Sequence, residues 1–386
     1  MSKPIPTPFR LHVPEETLKD LRERLSRVRW PDEPPIEPWS TGTSVGYMRQ
    51  LVDYWRDRFD WRAQEEALNR YHHFKVPLAG IDLHFIHEQG KGPNPMPLLL
   101  SHGWPGSVVE FHKILPMLTD PARFGGDPSD AFTVVAPSLP GYTMSFAPGQ
   151  KRFSVEEISE VFAALMTDVL GYEKFGAQGG DWGAFVTSRL GYQFPERMIG
   201  IHINLLAVRR DPKMLTDPTP EEKVFVEQLN AFLKEETGYQ WIQGTRPTTL
   251  AFGLTDSPVG LAAWIVEKFR SWTDNNGDLE SALSRDEMLT NITLYWATGA
   301  IGSSFWPYYA RMHGPWPIPE GASIGVPTGY VEFPKEILRP PRSVAERSYG
   351  NIQRWTKMAK GGHFAALEQP EALAQEIRAF FRPLRG

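Results

Sequence analysis

Residues 179–183, Gly-Gly-Asp-Trp-Gly, enclose one carboxylate, Asp181, among three glycines. Small-x-nucleophile-x-small is the pattern of a nucleophile elbow, where a strand turns sharply into a helix and lifts one side chain off the sheet edge. The lifted residue takes a strained backbone conformation, and only small neighbours let chain pass chain. The identity of that residue restricts the chemistry. A serine attacking a saturated carbon would leave an ether, which activated water does not readily cleave. A carboxylate attacking the same carbon leaves an ester, which water hydrolyses at its carbonyl. Asp at an elbow therefore points to displacement at carbon, either epoxide ring opening or loss of halide, and away from ordinary esterase chemistry. Such a site needs a base for water, and histidine suits because its pKa is near neutral. It also needs an acid to orient that base and backbone N–H groups to meet the oxyanion. An epoxide would further require two donors to its leaving oxygen.

An elbow must stand between a strand and a helix, and the chain offers both: "KFGAQ" before Asp181 and "AFVTSRLGYQF" after it. Upstream, "IDLHFIHEQG" alternates as a strand. "MPLLLSHGWPGS" and "AFTVVAPSLPGYTMS" are apolar runs ending in turns. Residues 107–118 between them read as a helix, with Ser107 and Glu110 as its capping box, and Ser154 with Glu157 repeats that signal. "MIGIHINLLAV" is another apolar strand. Strands alternating with helices predict an α/β fold with a mostly parallel sheet covered on both faces.

Residues 1–75 read as a helical N-terminal extension, with Leu18, Leu21, Leu25 and Val28 at helical spacing, then Tyr47, Met48, Leu51, Trp55 and Phe59, then 62–71. Residues 76–210 form the first part of the α/β core. From 211 to 324 the alternation stops, and 221–235, 258–272 and 285–300 are helical, which predicts a helical cap inserted after the central strands. Residues 325–386 complete the core, with "YGNIQRWTKMA" as a strand and a helix from Pro370 through Phe381.

A net charge of -5 gives no electrostatic case for nucleic acid or an anionic membrane. The absence of cysteine excludes disulfides, a cysteine nucleophile and thiolate metal sites. "MSKPIPTPFRLHVPEE" lacks the apolar region of a signal peptide, and no run approaches the length of a membrane span, so a soluble, cytoplasmic protein is expected. His84 and His87 fall on opposite faces of a strand, which argues against shared ligation, and no metal or organic cofactor is required. "NIT" at 291–293 reads as an accidental glycosylation match. The cap is rich in aromatics, and Trp241, Phe252, Trp306 and Trp316 are candidates to wall an apolar pocket.

"SHGWPGS", "GGDWG" and "KGGHFAALEQP" together resemble the α/β-hydrolase-fold epoxide hydrolases of the microsomal-type branch. "PFRLHVPEETLKDLRERLSRVRWPDE" is similar to that branch's N-terminal extension, and "DSPVGLAAWIVEKFRSW" to its cap. The resemblance covers nearly the whole chain. It implies Asp181 as nucleophile, His363 as base and Glu336 as the orienting acid, with Glu332 and Glu346 as nearby rivals. It implies oxyanion donors at the N–H groups of Trp104 and Trp182, and a cis bond before Pro105. It also implies that Tyr239 and Tyr308 donate to the epoxide oxygen, with Tyr309 adjacent to the second. His102 reads better as a structural residue of its turn. The expected reaction joins a small apolar epoxide and water to give a vicinal diol, without a cofactor. Microsomal members typically begin with a membrane anchor, which this sequence does not show, and a homo-oligomer is left open. A haloalkane or haloacid dehalogenase, and a hydrolase fold that only binds a ligand, are the competing readings.

Overall fold

The computed structural model describes residues 4–209 and 217–385. Its strands are β1 (Thr7–Phe9), β2 (His73–Leu78), β3 (Ile81–Glu88), β4 (Met96–Ser101), β5 (Phe132–Pro137), β6 (Phe175–Gly179), β7 (Met198–Ile203), β8 (Thr328–Glu332) and β9 (Ile352–Lys357). They form one sheet in the order β1-β2-β3-β5-β4-β6-β7-β8-β9. The six strands from β5 to β9 along that order run parallel, and β1, β2 and β3 pair antiparallel at one side. β5 and β6 are buried along their whole length, as expected where helices cover both faces.

Two local expectations change. The segment 1–75 is not purely helical, because β1 and the start of β2 lie within it. β1 has three residues, too few to show an alternation. In β2, His73 and Lys75 stand where apolar residues would advertise a strand, and the buried His73 ring meets His84 Nε2 and Leu68 O with its two nitrogens. The expected helix over 107–118 is instead a 3-10 turn, Val108–Phe111, and a short helix, Leu115–Thr119. Pro116 has no N–H to continue a helical ladder from the preceding turn. Ser107 Oγ accepts from Val109 N–H, and Glu110 does not return the bond. The capping box at Ser154 and Glu157 does form, and it starts the helix Val155–Ala164.

The cap lies between β7 and β8 and includes Pro220–Glu235, Gly238–Thr245, Pro247–Asp256, Pro258–Trp272, Arg285–Thr298 and Trp306–His313. The expected junction at 210/211 falls outside the described residues. Arg285–Thr298 is buried continuously from Met288 to Tyr295, because it lies between the other layers. Trp55 of the N-terminal extension donates to its Thr293, Asn291 Nδ2 donates to Pro105 O at 2.8 Å, and Tyr295 Oη donates to Gly106 O at 2.8 Å. This helix bolts the cap to the turn after β4, and it places the "NIT" asparagine in the interior. Among the described residues no single helix is long and apolar enough to cross a membrane.

Candidate active site

The turn after β4 carries Trp104, the turn after β6 carries Asp181, and the segments after β8 and β9 carry Glu336 and His363. All four thus stand at carboxyl ends of parallel strands, the edge where open α/β sheets hold ligands. Asp181 has φ 47°, in the left-handed region that side chains other than Gly rarely occupy. It is the first residue of the helix Asp181–Gln193, so the elbow geometry is present in full.

The glycines provide room for close passage. A Cβ on Gly103 would overlap the Asp181 carboxyl group, and one on Gly183 would overlap Ser101 O. Both obstructions are fixed parts of the neighbouring turn. Gly183→Ala is therefore expected to cost about 3 kcal/mol through overpacking, read as a lower urea midpoint. An unchanged midpoint would mean that the β4 and β6 turns can separate freely.

Asp181 Oδ1 accepts from Trp104 N–H at 2.8 Å, and Trp104 and Pro105 are joined by a cis bond. Asp181 Oδ2 lies 3.4 Å from His363 Nε2. On the other side of the ring, Nδ1 lies 2.6 Å from Glu336 Oε1, which also accepts from Ile337 N–H. The rival acids are engaged elsewhere, Glu332 with Lys357 and Glu346 with Arg342. Trp182 N–H belongs to the first turn of the Asp181 helix, where N–H groups lack intrahelical acceptors. Burial opposes a charged His363 ring, yet the Glu336 carboxylate and the hydrogen bond to Asp181 outweigh it and hold the pKa well above the ordinary value.

The loop that carries His363 is pinned to the cap. His363 N–H donates to Trp272 O, and Gly361 N–H donates to Asp274 Oδ2. Glu368 accepts from the N–H groups of both Phe364 and Asp274. His102 is a structural residue. Leu139 N–H donates to its Nε2, so the ring proton sits on Nδ1 and is donated to Gly103 O, while burial lowers its pKa to about 4. His84 and His87 have separate partners, Ser138 and His73 for the first and Tyr172 for the second. No cluster of metal-ligating side chains occurs among the described residues.

On the cap side, Asp181 opens into a cavity of about 570 Å³ walled by Trp182, Tyr239, Tyr308, Trp241 and Trp316 among others. The Tyr239 and Tyr308 rings are 5.6 Å apart; Trp104 stacks on Tyr239 and the edge of Trp182 meets Tyr308. The Tyr308 hydroxyl is buried with no hydrogen-bond partner among the described residues. Tyr239 Oη accepts from Gln240 Nε2.

Two expected wall residues stand elsewhere. Phe252 is 77% exposed on Pro247–Asp256, a helix whose one buried residue is Leu254. Trp306 stacks on Tyr309, which in turn stacks on His313. Two residues before Tyr308 is just over half a turn, on the opposite side of the helix, whereas Arg311 and Met312 share its face and do line the cavity. Phe185, one turn after Asp181, lines it too. Helical spacing from Asp181 and Tyr308 would have found these wall residues, but aromatic content alone does not.

Residues 6–111 match the family described as "Epoxide hydrolase N terminus", and residues 96–260 match "alpha/beta hydrolase fold". A Stigmatella aurantiaca protein named as a candidate epoxide hydrolase is 46% identical over 98% of this chain and 86% of its own. Epoxide hydrolase 1 of Sus scrofa is 39% identical over 97% of this chain and 88% of its own. Among solved structures, juvenile hormone epoxide hydrolase from Bombyx mori superposes with a TM-score of 0.87 at 31% identity, covering 99% of this chain and 95% of that one. The Aspergillus niger epoxide hydrolase gives 0.84 at 31% identity, covering 100% and 97%. With identity above 30% along nearly its whole length, and an elbow that presents a carboxylate, the chain belongs to the epoxide hydrolases of the α/β-hydrolase fold.

Proposed function

We propose that the protein hydrolyses an apolar epoxide to a vicinal diol through a covalent ester on Asp181. The observation that carries this reading is the position of Asp181: one carboxylate meets a backbone donor, the His363–Glu336 pair and a cavity holding two tyrosines. Asp181 Oδ2 attacks a ring carbon, the carbon–oxygen bond breaks, and Tyr239 and Tyr308 donate to the departing oxygen. Burial, chiefly, raises the Tyr308 pKa well above 10, so this phenol stays a donor throughout the neutral range. Ester formation removes the Asp181 charge. Burial then opposes a charged His363 that keeps Glu336 as its hydrogen-bonded carboxylate but has lost the Asp181 charge, so the imidazolium gives up its proton. The ring oxygen gains one proton in the same step, and charge balances.

Neutral His363 next takes a proton from water, whose oxygen bonds to Asp181 Cγ. Negative charge gathers on Oδ1 at the N–H groups of Trp104 and Trp182. Collapse breaks the bond from Cγ to the substrate oxygen, which leaves protonated as the diol, and the carboxylate and imidazolium are restored. In a single turnover in isotope-labelled water, label should enter Asp181 and not the diol. Label passing directly into the diol would overturn the covalent route.

Tyr239→Phe combined with Tyr308→Phe should slow ester formation from an epoxide by about 10³-fold, followed by rapid quench. Dehalogenation of a haloalkane would largely survive that double change, because halide needs no proton. A panel of terminal, styrene-like and internal epoxides, with chiral analysis of the diols, would define the substrate range.

A further inference from the structure

Behind Asp181, on the side away from the cap, lies a second and much smaller cavity of about 20 Å³, room for about one water. Its walls include Ser101, Gly103, Glu110, Asn204 and His363. Asp181 is the one residue common to this chamber and the large apolar cavity. Asp181 thus stands between the two spaces. Two polar groups on the rear walls are otherwise unexplained. Ser101 Oγ is buried without a hydrogen-bond partner. Glu110, on the 3-10 turn Val108–Phe111, makes no side-chain hydrogen bond among the described residues. Its carboxyl group lies against Gly106, where any Cβ would displace it. Glu110 is deep in the protein yet keeps some surface that water can reach, as a side chain lining a water-sized void would.

We propose that Glu110 is the positioning residue for the hydrolytic water, accepting one of its hydrogens while His363 takes the other. This rests on the covalent reading above. The water then has a fixed orientation, with its lone pair directed at Asp181 Cγ. As the oxygen–Cγ bond forms, the proton passes to His363 Nε2, and the carbonyl electron pair moves to Oδ1. Glu110 itself gains and loses nothing. Burial raises its pKa to about 8, against the pull of His363, so near neutral pH the group is an uncharged acid. An uncharged acceptor orients water without placing a second anion beside the developing oxyanion.

The test separates the two chemical steps in single turnovers of Glu110→Ala and Glu110→Gln. For Glu110→Ala, ester formation is expected within about threefold of the parent enzyme and ester breakdown about 100-fold slower, the scale of a misplaced reactant. Glu110→Gln keeps a carbonyl acceptor of the same length and should restore breakdown to within about tenfold. Breakdown unchanged in Glu110→Ala, or both steps falling together in both variants, overturns the proposal. Should Glu110→Ala not fold, slow breakdown in folded Glu110→Gln would also overturn it, and near-normal breakdown there would support it. If the parent enzyme forms no ester, the covalent reading and this inference fall together; ester that forms and breaks down normally in every variant removes this inference alone.

Discussion

Asp181→Ala should lower epoxide turnover by about 10⁵-fold or more, the scale of losing a covalent nucleophile. Among the described residues no other carboxylate lines the cavity that would hold the substrate. Glu336 is turned away behind His363, and Glu110 opens on the rear chamber, not on the cavity that would hold the substrate. The fold should survive, because the strain at φ 47° is borne by the backbone and Ala removes only atoms at that position. Unchanged circular dichroism with lost diol formation would support the role, and turnover within tenfold of the parent would end it.

His363→Gln should divide the reaction in two. Asp181 keeps its hydrogen bond from Trp104 N–H and can still be alkylated, but no base remains to activate water. Breakdown of the ester should fall by about 10⁴-fold, and intact-mass measurement should show the enzyme heavier by one epoxide. Loss of both steps would mean that ester formation depends on the proton His363 releases and cannot draw it from solvent. The pH dependence follows from the same pair. In the resting enzyme burial lowers the His363 pKa, but Glu336 and Asp181 together hold it well above the ordinary value. Alkylation removes the Asp181 contribution, so the pKa falls in the ester state. Breakdown needs the neutral ring, so its rate should decline as pH drops through that lower pKa, while ester formation holds. Acid therefore favours accumulation of the ester. Accumulation in base instead would contradict the assignment.

Much of this site was legible from short-range sequence. Three glycines around Asp181 carry their own steric reason, and Gly361 and Gly362 mark the loop of His363. Glu110 was not legible. Three residues after Ser107 it reads as the partner in a capping box, and only Pro116 and the inward turn of Val108–Phe111 redirect its side chain. The cap wall divided in the same way. Trp241 and Trp316 line the cavity while Phe252 and Trp306 do not, and composition cannot separate them because facing depends on helix phase.

By itself, the sequence determined the alternation of strands and helices, the elbow and the type of group it lifts, since these depend on neighbours a few residues apart. Tertiary structure alone decided which of three glutamates meets His363, which tyrosine faces Asp181, and that a water-sized chamber lies behind it. Those choices join residues at least 27 positions apart, as Glu336 and His363 are. Such contacts arise when separate strand ends converge on one sheet edge, and no local spacing encodes that convergence.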